Sequence, residues 1–164
     1  MSVIVFAWLD SDSGHAALSI DGHEDVRKRD PFATYVSFYP DPRRVDVENT
    51  SLKKLVFTGV PGTPTTMGQN LHSDNGLRKR VPSFASAPIN GLDELAIIRF
   101  WSDFRSKSVT WSLTKNSCAD VVFKALDAGG ASKKSTVAAA LIALARHQFV
   151  LVRDCVYLAQ ALED

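Results

Sequence analysis

The hydrophobic pattern changes period partway along the chain, and that change limits the folds open to it. Up to residue 60 the apolar residues come in short runs rich in β-branched and aromatic side chains; from residue 90 they recur at helical spacing. "VIVFAWL" (3–9), "HAALSI" (15–20) and "TYVSFYP" (34–40) read as strands, punctuated by Gly14, "DG" at 21–22, and Pro40 with "DPRR". "KKLVFTGV" (53–60) reads as a fourth strand, "PGTPTTMGQNLHSDNG" as a loop with no period, and "PSFASAPI" (82–89) as a short extended piece. In the second half, "NGLDELAIIRFWSDFR" (90–105) predicts a helix. Asn90 can cap it, Asp93 and Glu94 suit the positive end of its dipole, and Ile97, Phe100, Trp101 and Phe104 form one apolar stripe. A second helix starts near Asn116 and ends at Gly129-Gly130, a third covers 134–146 and a fourth 151–164. Strands first and helices later predict an α+β fold, an antiparallel sheet with helices packed on it. No internal repeat or linker divides the chain, so residues 1–164 are expected to form a single domain.

Composition narrows the function classes. Hydrophobic residues make up 45% of the 164 and charged residues 23%, with a formal net charge of +1. Nucleic-acid and membrane surfaces need a concentrated basic field. The densest basic runs, "RKR" at 27–29 and "LRKR" at 77–80, read as solvated loop charge. Two cysteines, Cys118 and Cys155, are too few for a disulfide framework. The start, "MSVIVFAWLDSDSGH", has no positive leader region, and its apolar run is too short for a signal peptide or a membrane span. The expectation is a chain made in the cytoplasm without a conventional signal peptide and with no stable membrane insertion.

"TWSLTKNSCADVVFKALDAGG" (110–130) places Cys118 where a loop turns into a helix. Cys118, Val121, Val122 and Ala125 share one face, so the sulfur points inward at the first turn. Asn116 or Ser117 can cap that turn and leave free N–H groups near the sulfur. Those amides and the helix dipole favour thiolate, and could hold a developing oxyanion, while Asp120 opposes the thiolate. The same residue reads equally well as a small buried hydrophobe. Cys155, mid-helix and without a cap beside it, reads as core.

A thiol nucleophile needs a base, and histidine is the usual one near neutral pH. His23 and His72 lie in polar segments, and His147 follows a helix end. His15 opens a strand directly after Gly14, on the same face as Ala17 and Ser19. In the next strand Tyr35, Ser37 and Tyr39 share a face. If the two strands pair, Ser37 could orient the imidazole as the third member of a triad does. No HxxxH, HxH or CxxC spacing predicts a metal site, and no Gly-rich phosphate loop or GxSxG elbow is present, so no metal or cofactor is expected.

Taken in order, "GHAALSI", "YVSFYP", "GLDELAIIRFW" and "WSLTKNSCADVVFKALDAGG" resemble the circularly permuted NlpC-like branch of the papain-fold cysteine hydrolases, which includes lecithin:retinol acyltransferase-like proteins. They resemble most closely the bacterial members carried as toxin or effector domains. The similarity runs from Gly14 to about Leu162, with a poorly matched stretch at 41–80. It implies a papain-like fold, Cys118 as nucleophile, His15 as general base and Ser37 as the third polar group, with Tyr35 close enough to compete. Asn116 and Ser117 would serve the cap and oxyanion site, and Tyr35 and Trp111 could contact substrate. The family motif sets Asn directly before Cys, whereas Ser117 intervenes here. The implied activity is hydrolysis of an amide or ester, with peptidoglycan peptides as first-choice substrate. An exported effector with a cognate immunity protein is implied, without nucleic acid as partner. Lipid esterase, acyltransferase, transamidase or deamidase activity, and a non-catalytic interaction module, are the alternatives.

Overall fold

A computed structural model describes residues 1–9, 14–41, 43–46, 49–63 and 70–163. Strand β1 (Val3–Trp8) pairs antiparallel with β2 (His15–Ile20), in a register that sets Trp8 opposite His15. Helix α1 (Glu24–Arg29) leads to β3 (Tyr35–Ser37), which pairs with β2 through Ala17–Ser37 and Ser19–Tyr35. With β6 (Phe84–Ala85) on the other edge, the sheet order is β3-β2-β1-β6, antiparallel throughout. A second small antiparallel sheet joins β4 (Tyr39–Pro40), β5 (Val60–Thr63) and β7 (Thr110–Trp111). The chain is thus α+β, with two small antiparallel sheets and several helices.

Several expectations are corrected. The strand expected over 34–40 is two strands that belong to different sheets, with Phe38 between them. That ring is buried and meets Phe104 edge-on at 5.1 Å. The segment 53–60 is not one strand. Lys54–Thr58 form a single wide helical turn, closed by Gly59 N–H donating to the Lys54 carbonyl at 2.7 Å. Its Leu55 and Val56 carbonyls are taken by Leu113 N–H and the Thr114 hydroxyl, so the apolar run lies against a loop rather than in a ladder. Part of the expected loop at 61–76 is ordered as β5 and as helix α2 (Leu71–Arg78), while residues 64–69 lie outside the described residues. Asn70 caps α2, accepting from Ser73 N–H at 2.9 Å. The two basic runs are exposed except at the half-buried Arg78, and they sit on α1 and at the end of α2 rather than on loops.

The later helices follow the apolar spacing closely. Helix α3 spans Glu94–Ser106, and Asp93, not Asn90, caps it by accepting from Ala96 N–H at 2.8 Å. Gly91 takes φ +76 just before it, a left-handed conformation that glycine adopts without steric cost and that keeps Asn90 out of the helix. Ile97, Trp101 and Phe104 are buried, and Trp101 donates its indole N–H to the Phe32 carbonyl at 2.9 Å. Helix α4 spans Cys118–Ala128, and the left-handed residue after it is Gly130 rather than Gly129. The third expected helix is α6 (Thr136–Ala145), capped by Ser135, and a short helix not expected from the sequence, α5 (Ala131–Lys134), precedes it. Helix α7 spans Val152–Gln160. The main core lies between the Val3, Val5, Ala16, Leu18 and Val36 face of the first sheet and the inner faces of α3, α4 and α7. Each fully buried Leu, Ile or Phe there contributes about 1.5–3 kcal/mol. The opposite face carries a smaller cluster of Phe6, Trp8, Ala17 and Tyr35, covered by Leu71 of α2. Among the described residues no helix is long and apolar enough to cross a membrane.

Candidate active site

The β2–β3 pairing and the two helices on opposite faces bring four polar groups to one end of the first sheet. By alternation His15 belongs to the Ala17 face, over which α2 lies. As the first residue of β2 it sits at the sheet margin. Gly14, at φ +62, turns the chain into it; a Cβ there would come within 2.8 Å of the Trp8 carbonyl and 3.1 Å of Val152 Cγ2. The His15 ring is 1% exposed, stacked on Tyr39 at 4.1 Å and tilted against Trp8 at 5.4 Å.

His15 Nε2 lies 2.9 Å from Ser37 Oγ and 3.3 Å from Asp74 Oδ2. Ser37 donates its hydroxyl hydrogen to Asp74 Oδ2 at 2.9 Å, and Tyr35 donates to the same oxygen at 2.8 Å. A hydroxyl has one hydrogen, so Ser37 accepts from His15 Nε2–H. That fixes the ring and leaves Nδ1 for the sulfur of Cys118, which lies within hydrogen-bond reach of the imidazole. Asp74 is fully buried. Its Oδ1 has no hydrogen-bond partner among the described residues; the Tyr39 hydroxyl lies near the carboxylate but outside good hydrogen-bond geometry.

The electrostatics follow from this packing. Burial disfavours a charged imidazole, but a Cys118 thiolate and Asp74 outweigh it and raise His15 to about 9. Burial likewise works against the thiolate, yet His15, with the N–H groups of Ala16 and Ala119, holds Cys118 below the usual thiol range. The charged form of each thus stabilises the charged form of the other, the electrostatic pattern of an ion pair. Cys155 is the contrast. It is buried, its S–H points to the Ala119 carbonyl at 3.7 Å, and burial pushes it well above the ordinary thiol value. Tyr35 and Tyr39 are held neutral, first by burial and then by the Asp74 charge.

The residues singled out from sequence fall into two groups. Cys118, His15 and Ser37 come together. Ser117 is the α4 cap, its Oγ accepting from Asp120 N–H at 3.1 Å. Asn116 is not a cap: its amide donates to the Thr110 carbonyl at 3.3 Å and its Oδ1 accepts from Lys124. Tyr35 is 4% exposed, and its hydroxyl donates to Asp74. Trp111 lines a cleft beside Cys118. Asp120, expected to oppose the thiolate, is tied to Lys124 at 2.6 Å.

No family model, no curated protein and no solved structure matches this chain.

Sequence reasoning missed Asp74. Its segment, "NLHSDNG", carries no apolar period, and only the Asn70–Ser73 capping pair signals a helix there. It also missed that His15 is clasped between two aromatic rings. His23, in a polar segment, pairs instead with Glu94 at 3.3 Å. Among the described residues no group of three or more His, Cys, Asp or Glu could hold a metal ion.

Proposed function

We propose that this protein is a cysteine hydrolase of the permuted papain-like kind, acting on an amide or ester through a Cys118 thioester. One observation carries the reading: a chain of hydrogen bonds from Asp74 through Ser37 to His15 ends at a cysteine on the first turn of a capped helix. Such a chain fixes tautomer and orientation of the base, and the base in turn holds the sulfur as thiolate.

In the first half-reaction the thiolate attacks the carbonyl carbon, and the C–S bond forms as the C–N or C–O bond breaks. The departing amine or alcohol takes the proton from His15. The N–H groups at the start of α4 stabilise the oxyanion. In the second half-reaction His15 removes a proton from water, whose oxygen attacks the thioester carbonyl. The acid is released as the C–S bond breaks, leaving Cys118 as thiolate and His15 again protonated. Peptidoglycan peptides remain the first substrate class to test, in line with the effector resemblance. An amine or alcohol acceptor in place of water would give a transferase with the same machinery.

The test compares wild type with Cys118→Ala on peptidoglycan fragments, phospholipids and a model protein, read by mass spectrometry. A product formed by wild type alone supports the reading. In parallel, iodoacetamide near pH 6 should alkylate Cys118 far faster than Cys155. Equal, slow labelling of both thiols refutes an activated nucleophile and favours an interaction module on the same scaffold.

A further inference from the structure

Beside Cys118 lies a cleft of about 140 Å³ whose walls include Trp111, Leu113, Phe149, Leu151 and Val152, together with the Ser117–Ala119 turn. Its side chains are almost all apolar. Phe149 and Leu151 are exposed at its rim, at 56% and 41%. Isolated exposed apolar residues are ordinary, but two of them bordering an apolar recess at a reactive thiol form a mouth. The Trp111 indole N–H, on the same wall, is buried without a hydrogen-bond partner among the described residues. An indole nitrogen is a donor only, so a carbonyl arriving beside it would satisfy it.

We infer that this cleft is the acyl-side specificity pocket, and that it selects a branched aliphatic or phenyl-sized group attached next to the scissile carbonyl. The inference rests on the hydrolase reading above and names its substrate class. Two arguments fix the side and the size. His15 is absent from the cleft walls. The leaving group must take its proton from His15, so it departs on the His15 side. The acyl half stays bonded to Cys118 through the thioester and remains against the walls that the nucleophile's own turn helps to build. As for size, an apolar cavity of about 150 Å³ holds a benzene-sized molecule. A cleft of about 140 Å³ therefore takes a four- to six-carbon branched chain or a single ring, and has no room for a long acyl tail.

The probes are p-nitrophenyl acetate, isovalerate, phenylacetate and dodecanoate, with Cys118→Ala as the blank. In the measured step the C–S bond forms, the ester C–O bond breaks, and p-nitrophenolate leaves. Its burst gives the rate, and the mass of acyl-Cys118 identifies the adduct. Isovalerate and phenylacetate should acylate at least about 10-fold faster than acetate, since even one methylene that finds a matched apolar wall is worth roughly tenfold or more. Dodecanoate should be no faster than isovalerate. Leu113→Trp fills the cleft and Leu151→Trp crowds its mouth. Each should bring the isovalerate-to-acetate ratio toward one, a ratio taken within each variant so that a general loss of activity cancels. A flat profile across the four esters, or an unchanged ratio in both variants, overturns the pocket while leaving the nucleophile in place. Absence of any adduct with every ester overturns the pocket and the hydrolase reading together.

Discussion

Replacing Cys118 by alanine should change the titration of His15 more than any other single substitution in the molecule. His15 is raised from 6.5 to about 9. At 1.36 kcal/mol per pH unit, that rise is roughly 3 kcal/mol of net preference for the imidazolium. The net value conceals a larger attraction, because burial of the ring pulls the other way. The thiolate is the leading source of that attraction, ahead of Asp74. Without the sulfur, burial faces Asp74 alone, and the His15 midpoint should fall well below 9. The assay is a ¹³C-histidine NMR titration, with the His15 signal assigned from a His15→Gln variant. A His15 midpoint that stays near 9 in Cys118→Ala would refute the ion pair, because no thiolate would then be sharing charge with the ring. The pair also sets the pH profile of turnover in wild type. On the acid side activity falls as the sulfur regains its proton, below the ordinary thiol range because Cys118 is depressed. On the alkaline side it falls near 9, as His15 loses the proton the leaving group needs. Alkylation by iodoacetamide should rise on the acid limb and not fall at the alkaline one, since a thiolate suffices for it.

Asp74→Asn should lower kcat roughly a hundredfold with little change in KM, because the carboxylate positions Ser37 and His15 from full burial and does not line the cleft; a kcat within twofold of wild type would remove Asp74 from the mechanism. Trp101→Ala should cost about 3–5 kcal/mol in urea unfolding, since it empties a fully buried site and removes the shorter of the two hydrogen bonds to the Phe32 carbonyl; a loss under about 1 kcal/mol would mean that α3 does not anchor the sheet as described.

The long apolar periods were legible. β1, β2 and α3, α4 and α7 form within a few residues of where spacing alone puts them, because burial of one face is a property each segment carries locally. Cys118, Val121, Val122 and Ala125 lie buried on one face of α4 as their spacing predicts. Where the chain bends or its partner is remote, spacing was silent. "YVSFYP" alternates without interruption, yet the strand breaks at Phe38, whose ring packs on Phe104 and on Gly62, where a side chain would strike it. "KKLVFTGV" has strand propensity, but Leu55 and Val56 are bonded by 113–114, so tertiary contact overrides propensity. Asn90 and Asp93 are both good caps, and only the left-handed turn at Gly91 decides between them.

By itself, then, the sequence determined the class of fold, a cysteine at the first turn of a helix with its sulfur inward, and a histidine at the head of a strand. These follow from periodicity, capping and turn chemistry within a dozen or so residues. Only the tertiary structure decided that the two meet, that Asp74 stands behind Ser37, and that an apolar recess opens beside the sulfur. The reason lies in the range of the forces. A proton relay and a pocket wall depend on contacts of a few ångströms between β2, β3, α2 and α4, whose separations along the chain leave no local signature. A buried carboxylate in a polar stretch looks like any solvated one until the fold removes its water.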